Sequence, residues 1–240
     1  MARRPAVGQM YVKFHKAGNF VYFCVRKICS MLEKKKILIF DLGGVLIDLH
    51  VERSFGALVA MGADPSLLTE KACLLNSYMM QYDRGDITTD EMFSYIASQL
   101  PAGGVSDMRE SISKAWNMML GEYAPYKFHR LRELRAKGYR VVMLSNTNDG
   151  HWDEIERRFT ATMGEPLSSF FDALYLSYRM HRRKPEPEIF LDLLASEGAG
   201  AADCIFFDDS AENCEAARSV GIEAVLMERN AQWGGDLMND

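Results

Sequence analysis

The sequence predicts an α/β protein: a core of parallel strands interrupted by a small all-helical insertion. Three observations predict it. Short, continuous apolar runs recur along the chain, helical patterns separate them, and one long stretch between residues 50 and 124 holds helical patterns alone.

The strands are Ile37–Phe40, Arg140–Leu144, Ala173–Leu176 and Cys204–Phe207, with Ala224–Met227 as a fifth. Each is apolar, β-branched or aromatic, and bounded by turn residues, as expected of strands buried on both faces. Among the helices between them, Lys127–Lys137 is closed by Gly138. Glu186–Glu197 is opened by Pro185 and closed by Gly198, and Glu212–Val220 is closed by Gly221. Glycine stops a helix readily and proline suits its first turn. Strand–helix–strand alternation implies a parallel sheet with right-handed crossovers.

Within the insertion, Val51–Met61, Ser66–Tyr82, Thr89–Leu100 and Ser106–Leu120 read as helices, and no strand is expected. Thr88-Thr-Asp-Glu91 has the form of a capping box. Ile87, Met92, Phe93, Ile96, Ala97 and Leu100 then recur at helical spacing, which reads as packing rather than a cofactor surface. The expected organisation is a core of residues 34–49 and 123–240, with an inserted helical unit at 50–122.

Composition narrows the function classes. The chain has 240 residues, 48% of them hydrophobic and 25% charged, which is ordinary for a globular protein able to bury a core without disulfides. A net charge of −5 argues against a dedicated nucleic-acid binder. The cysteines Cys24, Cys29, Cys73, Cys204 and Cys214 are odd in number and without metal-site spacing, so they read as free thiols in a reducing cytoplasm. Residues 1–33 carry Arg3, Arg4, Lys13, Lys16, Arg26 and Lys27, and read as a basic extension; a basic amphipathic anchor is the competing reading. The apolar run 19–25 is too short to span a bilayer, so no stable membrane insertion is expected.

Chemistry is expected where the strands end, because an open parallel sheet binds ligands beyond its carboxyl edge. The first strand delivers Asp41-Leu-Gly-Gly, the second Ser145-Asn-Thr-Asn148 and the fourth Asp208-Asp-Ser-Ala-Glu-Asn213. The third is followed by Ser177 and then the basic run from Arg179 to Lys184. Taken singly, Asp41 could be a turn residue, Ser145 or Asp208 a helix cap, and Lys184 a solvated charge. Together they suit phosphoryl transfer. A carboxylate such as Asp41 attacks phosphorus once the phosphoryl charge is neutralised. Mg²⁺ takes hard oxygen ligands, which Asp41, one of the pair Asp208–Asp209 and the Gly43 carbonyl can supply. Ser145 and neighbouring N–H groups can hold non-bridging oxygens, while Lys184 stabilises the transferring group and separates two acids.

The same segments carry a resemblance. Ile-Phe-Asp41-Leu-Gly-Gly-Val-Leu, Leu-Ser145-Asn-Thr-Asn, Lys184-Pro-Glu-Pro-Glu-Ile-Phe and Phe-Phe-Asp208-Asp209-Ser-Ala-Glu-Asn resemble, in order, the four motifs of the haloacid-dehalogenase superfamily. The resemblance spans residues 34–228 and implies a Rossmann-like core with a small helical cap of the subfamily I type. Within the superfamily the chain is most similar to bacterial α-D-glucose-1-phosphate phosphatases and their relatives, a likeness that extends to Asp83-Arg-Gly-Asp-Ile-Thr. It implies a phosphatase with Asp41 as nucleophile and Mg²⁺ held by Asp41, the Gly43 carbonyl and Asp209. Ser145, Asn146 and Lys184 would bind phosphate, with Asp208 as an outer partner. The expected substrate is a small phosphorylated metabolite, a sugar phosphate above all.

Two departures stand out. Most phosphatases of the superfamily have a second Asp two residues after the nucleophile, as general acid and base; here Gly43 stands there. That keeps open a non-catalytic binding module, and less readily a metal-free haloacid dehalogenase. Asp48 is a substitute acid to consider, though seven residues after Asp41 it is expected beyond the first turn. His181 stands where relatives have Gly, and is expected to point outward from its loop. His15, His50, His129 and His151 show no ligand spacing and receive no role, though His50 could mark a hinge. Tyr82, Asp83, Arg84, Trp116 and Asn117 are candidates to line the pocket.

Overall fold

The computed structural model describes residues 35–68, 76–101 and 107–233; the basic extension and Cys24, Cys29 and Cys73 lie outside them. In chain order the elements begin with β1 (Ile37–Phe40), β2 (Ile47–Leu49), α1 (Val51–Ala60), α2 (Ser77–Arg84), α3 (Thr89–Ser98), α4 (Met108–Asn117) and β3 (Leu120–Tyr123). They continue with α5 (Pro125–Ala136), β4 (Arg140–Ser145), α6 (Asp149–Met163), β5 (Ala173–Leu176) and α7 (Ser177–Met180). The last are α8 (Pro187–Glu197), β6 (Cys204–Asp208), α9 (Ala211–Ser219) and β7 (Glu223–Leu226).

Five strands form one sheet in the order β5-β4-β1-β6-β7, and every neighbouring pair is parallel. Side chains alternate between its faces. Leu38, Phe40, Val141, Met143, Ile205 and Phe207 pack under α5 and α6 through Phe128, Leu131, Trp152, Ile155 and Phe159. Ile37, Ile39, Val142, Leu144, Cys204 and Phe206 pack under α8 and α9 through Ile189, Phe190, Leu193, Cys214 and Ala217. The five predicted strands are present, so the α/β parallel sheet is as expected. The chain leaves β1 toward β4 and β5 on one side and reaches β6 and β7 on the other. The strand order therefore switches at β1, where such sheets bind ligands.

The helices α1 to α4 enclose a core of their own around Leu58, Tyr82, Met92, Phe93, Ile96, Ile112 and Trp116. The capping box is real: Thr88 accepts from the Glu91 N–H, and the Glu91 carboxylate accepts from the Thr88 N–H.

Three expectations need correction. Of the helix expected at Ser66–Tyr82, residues 69–75 lie outside the described residues; Pro65–Leu67 is a 3₁₀ turn, and a helix starts at Ser77, where the Asn76 side chain caps it by accepting from the N–H groups of Tyr78 and Met79. The helix expected to reach Leu120 stops at Asn117. Leu120–Tyr123 is instead a strand, β3, paired antiparallel with β2. These strands are only three and four residues long, too short for alternation to announce them. A further helix, α6, buries Trp152, Ile155 and Phe159 on one face. Its charged surface, laced by Glu154 with Arg157 and Arg158, obscures that stripe. Among the described residues no helix is long and apolar enough to cross a membrane.

Candidate active site

The ends of β1, β4 and β6 bring Asp41, Ser145 and Asp208 to one rim, and the loop before α8 brings Lys184. Lys184 is 1% exposed, and its ammonium donates to Asp41 Oδ1 (2.8 Å), Asp208 Oδ2 (2.7 Å) and the Leu144 carbonyl (2.9 Å). Burial works to strip its proton, but Asp208 and Asp41 outweigh that and hold the ammonium above its usual range. Asn146 fixes the lysine's backbone: its Oδ1 accepts from Lys184 N–H (2.8 Å) and its Nδ2 donates to Lys184 C=O (2.8 Å). The Asn146 side chain is thus engaged with Lys184, while Ser145 keeps only a 3.5 Å contact to the Asn146 carbonyl.

Asp208 and Asp209 differ in surroundings. Asp208 is fully buried; its Oδ1 accepts from Ser210 N–H (2.7 Å) and from the Asn213 amide (3.0 Å), and its Oδ2 accepts from Lys184 and, at 3.1 Å, from the same Asn213 amide. Asp209 borders the cavity and accepts from Arg229 Nε at 2.6 Å. Carboxylate oxygens of Asp41, Asp208 and Asp209 lie within 4.8 Å of one another. The crowding is electrostatically costly. Burial pushes the Asp41 carboxyl up to about 7, opposed by Lys184 and reinforced by Asp208 and Asp209. Burial also raises Asp209, against the pull of Arg229. Such a trio, with hard oxygens alone, suits a divalent cation such as Mg²⁺.

The loop after Asp41 is tight. Leu46 and Ile47 N–H groups both donate to the Leu42 carbonyl, at 2.9 and 3.0 Å. Gly44 takes φ +78°, and a Cβ there would stand 2.5 Å from Asp209 Oδ2. No other residue lets this backbone approach the second acid so closely. The buried ammonium of Lys127 donates to the Val45 carbonyl (2.8 Å) and braces the loop from beneath. Gly43 lines the cavity without a side chain, and Leu49 Cδ2 would be 3.4 Å from a Cβ there. Asp48 does not substitute for the missing acid. Strand alternation sends Ile47 and Leu49 to the cavity and leaves Asp48 off its lining, with its charge acting on Lys127.

The cavity above this rim holds about 300 Å³. Of the sequence-level candidates for its lining, Asp83 and Trp116 are there. Tyr82 is instead inside the helical core and bonded to Thr89; Arg84 pairs with Glu186; Asn117 donates to the Ser113 carbonyl. His151 was missed: it lines the cavity, stacks on Trp116 at 5.0 Å, and places Nε2 3.2 Å from the Trp116 carbonyl. Burial brings its pKa down to about 4, so it is neutral. Its position at the third residue of α6, beyond the Asn148 cap, was the signal, hidden with that helix. Arg183 was read only as part of a basic run, yet it lines the cavity and pairs with Asp83 at 3.3 Å. The rest of the run is also partnered: Arg179 lies over Trp152 and Tyr178, and Arg182 faces Asp192. His181 points outward, toward Asp86, and His50 sits at the start of α1 beside Glu52.

This arrangement of a lysine between two acids at a parallel-sheet switch point is joined by sequence similarity. Residues 35–221 match the family of haloacid dehalogenase-like hydrolases. The chain belongs to that family. It is 28% identical over 203 residues to the D-ribitol-5-phosphate phosphatase of Bacteroides thetaiotaomicron, covering 84% of this chain and 96% of the relative. It is 27% identical over 190 residues to a sesquiterpene phosphatase of Aspergillus oryzae, covering 78% of this chain and 87% of that protein. Among solved structures, a HAD family enzyme of B. thetaiotaomicron in complex with magnesium and inorganic phosphate superposes with a TM-score of 0.73 at 32% identity. That match covers 83% of this chain and 98% of the other. The chain is accordingly a phosphatase of the haloacid dehalogenase-like family, which sets aside the non-catalytic reading left open by Gly43.

Proposed function

We propose that the chain is a Mg²⁺-dependent phosphatase of a small sugar or polyol phosphate, working through an aspartyl-phosphate on Asp41. The observation that carries this is the Lys184 ammonium held between Asp41 and Asp208, with Asp209 completing an acidic trio at the cavity floor. Asp41, Asp209 and the Gly43 carbonyl would hold the cation, and the bound Mg²⁺ supplies charge neutralisation of the phosphoryl oxygens. Asp208 is fully occupied with Lys184, Ser210 and Asn213, and serves to hold the lysine.

In the first step an Asp41 oxygen forms a bond to phosphorus while the bond from phosphorus to the ester oxygen breaks. The alcohol leaves and takes a proton from solvent or from the substrate's own hydroxyls, since Gly43 offers none. Ser145 and the backbone N–H groups beside it hold the non-bridging oxygens, and Lys184 stays protonated to stabilise them. Asn146 acts by keeping the Lys184 backbone in place. In the second step water attacks phosphorus, releasing inorganic phosphate and Asp41. Losing general acid assistance forgoes about 10²- to 10⁴-fold, so the proton for the leaving alcohol has to come from solvent or from the substrate itself.

Residues 50–122 act as a helical cap over the core of 34–49 and 123–240. A cavity of about 300 Å³ is at the small end of ligand sites and suits a compact ester. The B. thetaiotaomicron relative acts, by its name, on such an ester. The metal-free dehalogenase reading gives the Asp208–Asp209 pair no work. A cytoplasmic setting agrees with Cys204 and Cys214 as free, buried thiols whose pKa values burial pushes up to about 11 and about 12. The decisive experiment is phosphate release across a sugar-phosphate panel with Mg²⁺. Asp41→Asn should abolish it for every substrate, and retained turnover sinks the assignment.

A further inference from the structure

The wall of the cavity opposite the strand ends is unlike its floor. Val51, Phe55, Met79, Met119, Leu120 and Ile155 make it apolar. One ion pair interrupts it, Asp83 of α2 with Arg183 of the loop before α8, at 3.3 Å. Buried ion pairs repay their desolvation only when the remaining lone pairs and protons also find partners. On the guanidinium side they do not: Arg183 is 8% exposed, and its Nε has no hydrogen-bond partner among the described residues. Of the neighbouring polar groups, the Asn148 side-chain amide already serves Asp83, and none serves Arg183 Nε. His151 is held against the Trp116 carbonyl, and the Asn148 carbonyl oxygen of the side chain accepts from the His151 N–H.

Resting on the phosphatase reading above, we infer that Asp83 and Arg183 together recognise a hydroxyl of the leaving group, which assigns the substrate to the polyol or sugar monophosphates and not to alkyl, aryl or prenyl phosphates. A hydroxyl is the group that suits the pair, because it donates to a carboxylate and accepts from a guanidinium at once. An ammonium would have no lone pair for Arg183. A second phosphate would be repelled by Asp83. The apolar remainder of the wall packs on the carbon skeleton. Since Asp83 comes from the helical insertion and Arg183 from the core, a hydroxylated leaving group binds both parts at once, and an unsubstituted one leaves Arg183 Nε without a partner.

The test is steady-state phosphate release by the full-length, Mg²⁺-loaded protein on ribitol 5-phosphate, pentyl phosphate and phenyl phosphate. Wild type should favour ribitol over pentyl phosphate in kcat/KM by about 100-fold or more, as a site built to bond a hydroxyl rejects the analogue lacking it. Arg183→Gln and Asp83→Asn should each reduce that ratio by roughly 10- to 100-fold, the loss falling on the ribitol ester. Thr89→Val, which removes a different contact of the insertion with the core, the Thr89–Asp149 hydrogen bond, should leave the ratio where it was. Equal wild-type turnover of ribitol and pentyl phosphates overturns the inference without any variant. So does an equal fall on all three esters in the Asp83 and Arg183 variants, or a shift in Thr89→Val as large as theirs, since the pair would then only dock the insertion. Failure of the phosphatase reading looks different: no ester is hydrolysed, or Asp41→Asn stays active.

Discussion

Because the Lys184 ammonium spends its protons on Asp41, Asp208 and the Leu144 carbonyl, its removal leaves two buried acids facing each other. Lys184→Met should abolish phosphate release and cost about 3–5 kcal/mol in urea unfolding measured without metal. A smaller loss would mean that the acids are relieved by protonation, which the raised Asp41 pKa of about 7 makes partly available. Gly43 invites the opposite experiment. Its backbone is not left-handed and the nearest atom to an added Cβ is a leucine methyl at 3.4 Å, so an aspartate can be placed there. Gly43→Asp should raise kcat by up to about 10²-fold on alkyl phosphates and much less on phenyl phosphate, whose leaving group needs little protonation. A variant that accelerates both equally would show that position 43 is not near the ester oxygen.

At the scale of elements, the strands and the capped helix α3 follow from local physics. Thr88→Ala removes the side-chain half of its capping box and should lower stability by about 1 kcal/mol, read by chemical denaturation, with phosphate release scarcely changed. The strands of the sheet were legible because burial on both faces demands unbroken apolar runs. The pair β2–β3 was not, since three or four residues carry too little pattern and their pairing joins positions far apart in sequence, such as Leu49 with Leu120. The helix α6 lay between these cases. Its Trp152, Ile155 and Phe159 stripe was available, but dense charge on the other face masked it. With it went His151, whose role depends on a partner, Trp116, that only the docked insertion supplies.

For the whole molecule, two measurements report on how insertion, core and cation work together. Removing Mg²⁺ with EDTA should bring phosphate release to background, and adding it back should restore activity and raise the thermal midpoint, because a cation bound by the proposed site would relieve the Asp41–Asp208–Asp209 repulsion in the folded state alone. The second concerns His151, neutral and buried with a folded pKa of about 4 against an ordinary 6.5. Between those values the unfolded chain binds the extra proton, so this group's contribution is full above pH 6.5 and is lost as pH falls toward 4. Wild type should therefore lose up to about 3 kcal/mol relative to His151→Gln across that window, in urea titrations at successive pH values. Parallel pH curves for the two proteins would refute the linkage.

Taken by itself, the sequence determined the parallel sheet and the order in which Asp41, Ser145, Lys184 and the Asp208–Asp209 pair follow its strands. Those features are local: a buried strand needs an apolar run, and the polar residues after it emerge at the same edge. The tertiary structure alone decided which acid holds the lysine and which borders the cavity, since Asp208 and Asp209 are adjacent in sequence and separate only through their neighbours, Asn213 and Arg229. It alone turned Arg183 from a member of a basic run into the partner of Asp83, a residue one hundred positions earlier in the chain. Charges are satisfied by what folding brings within a few ångströms, and sequence spacing cannot convey that distance.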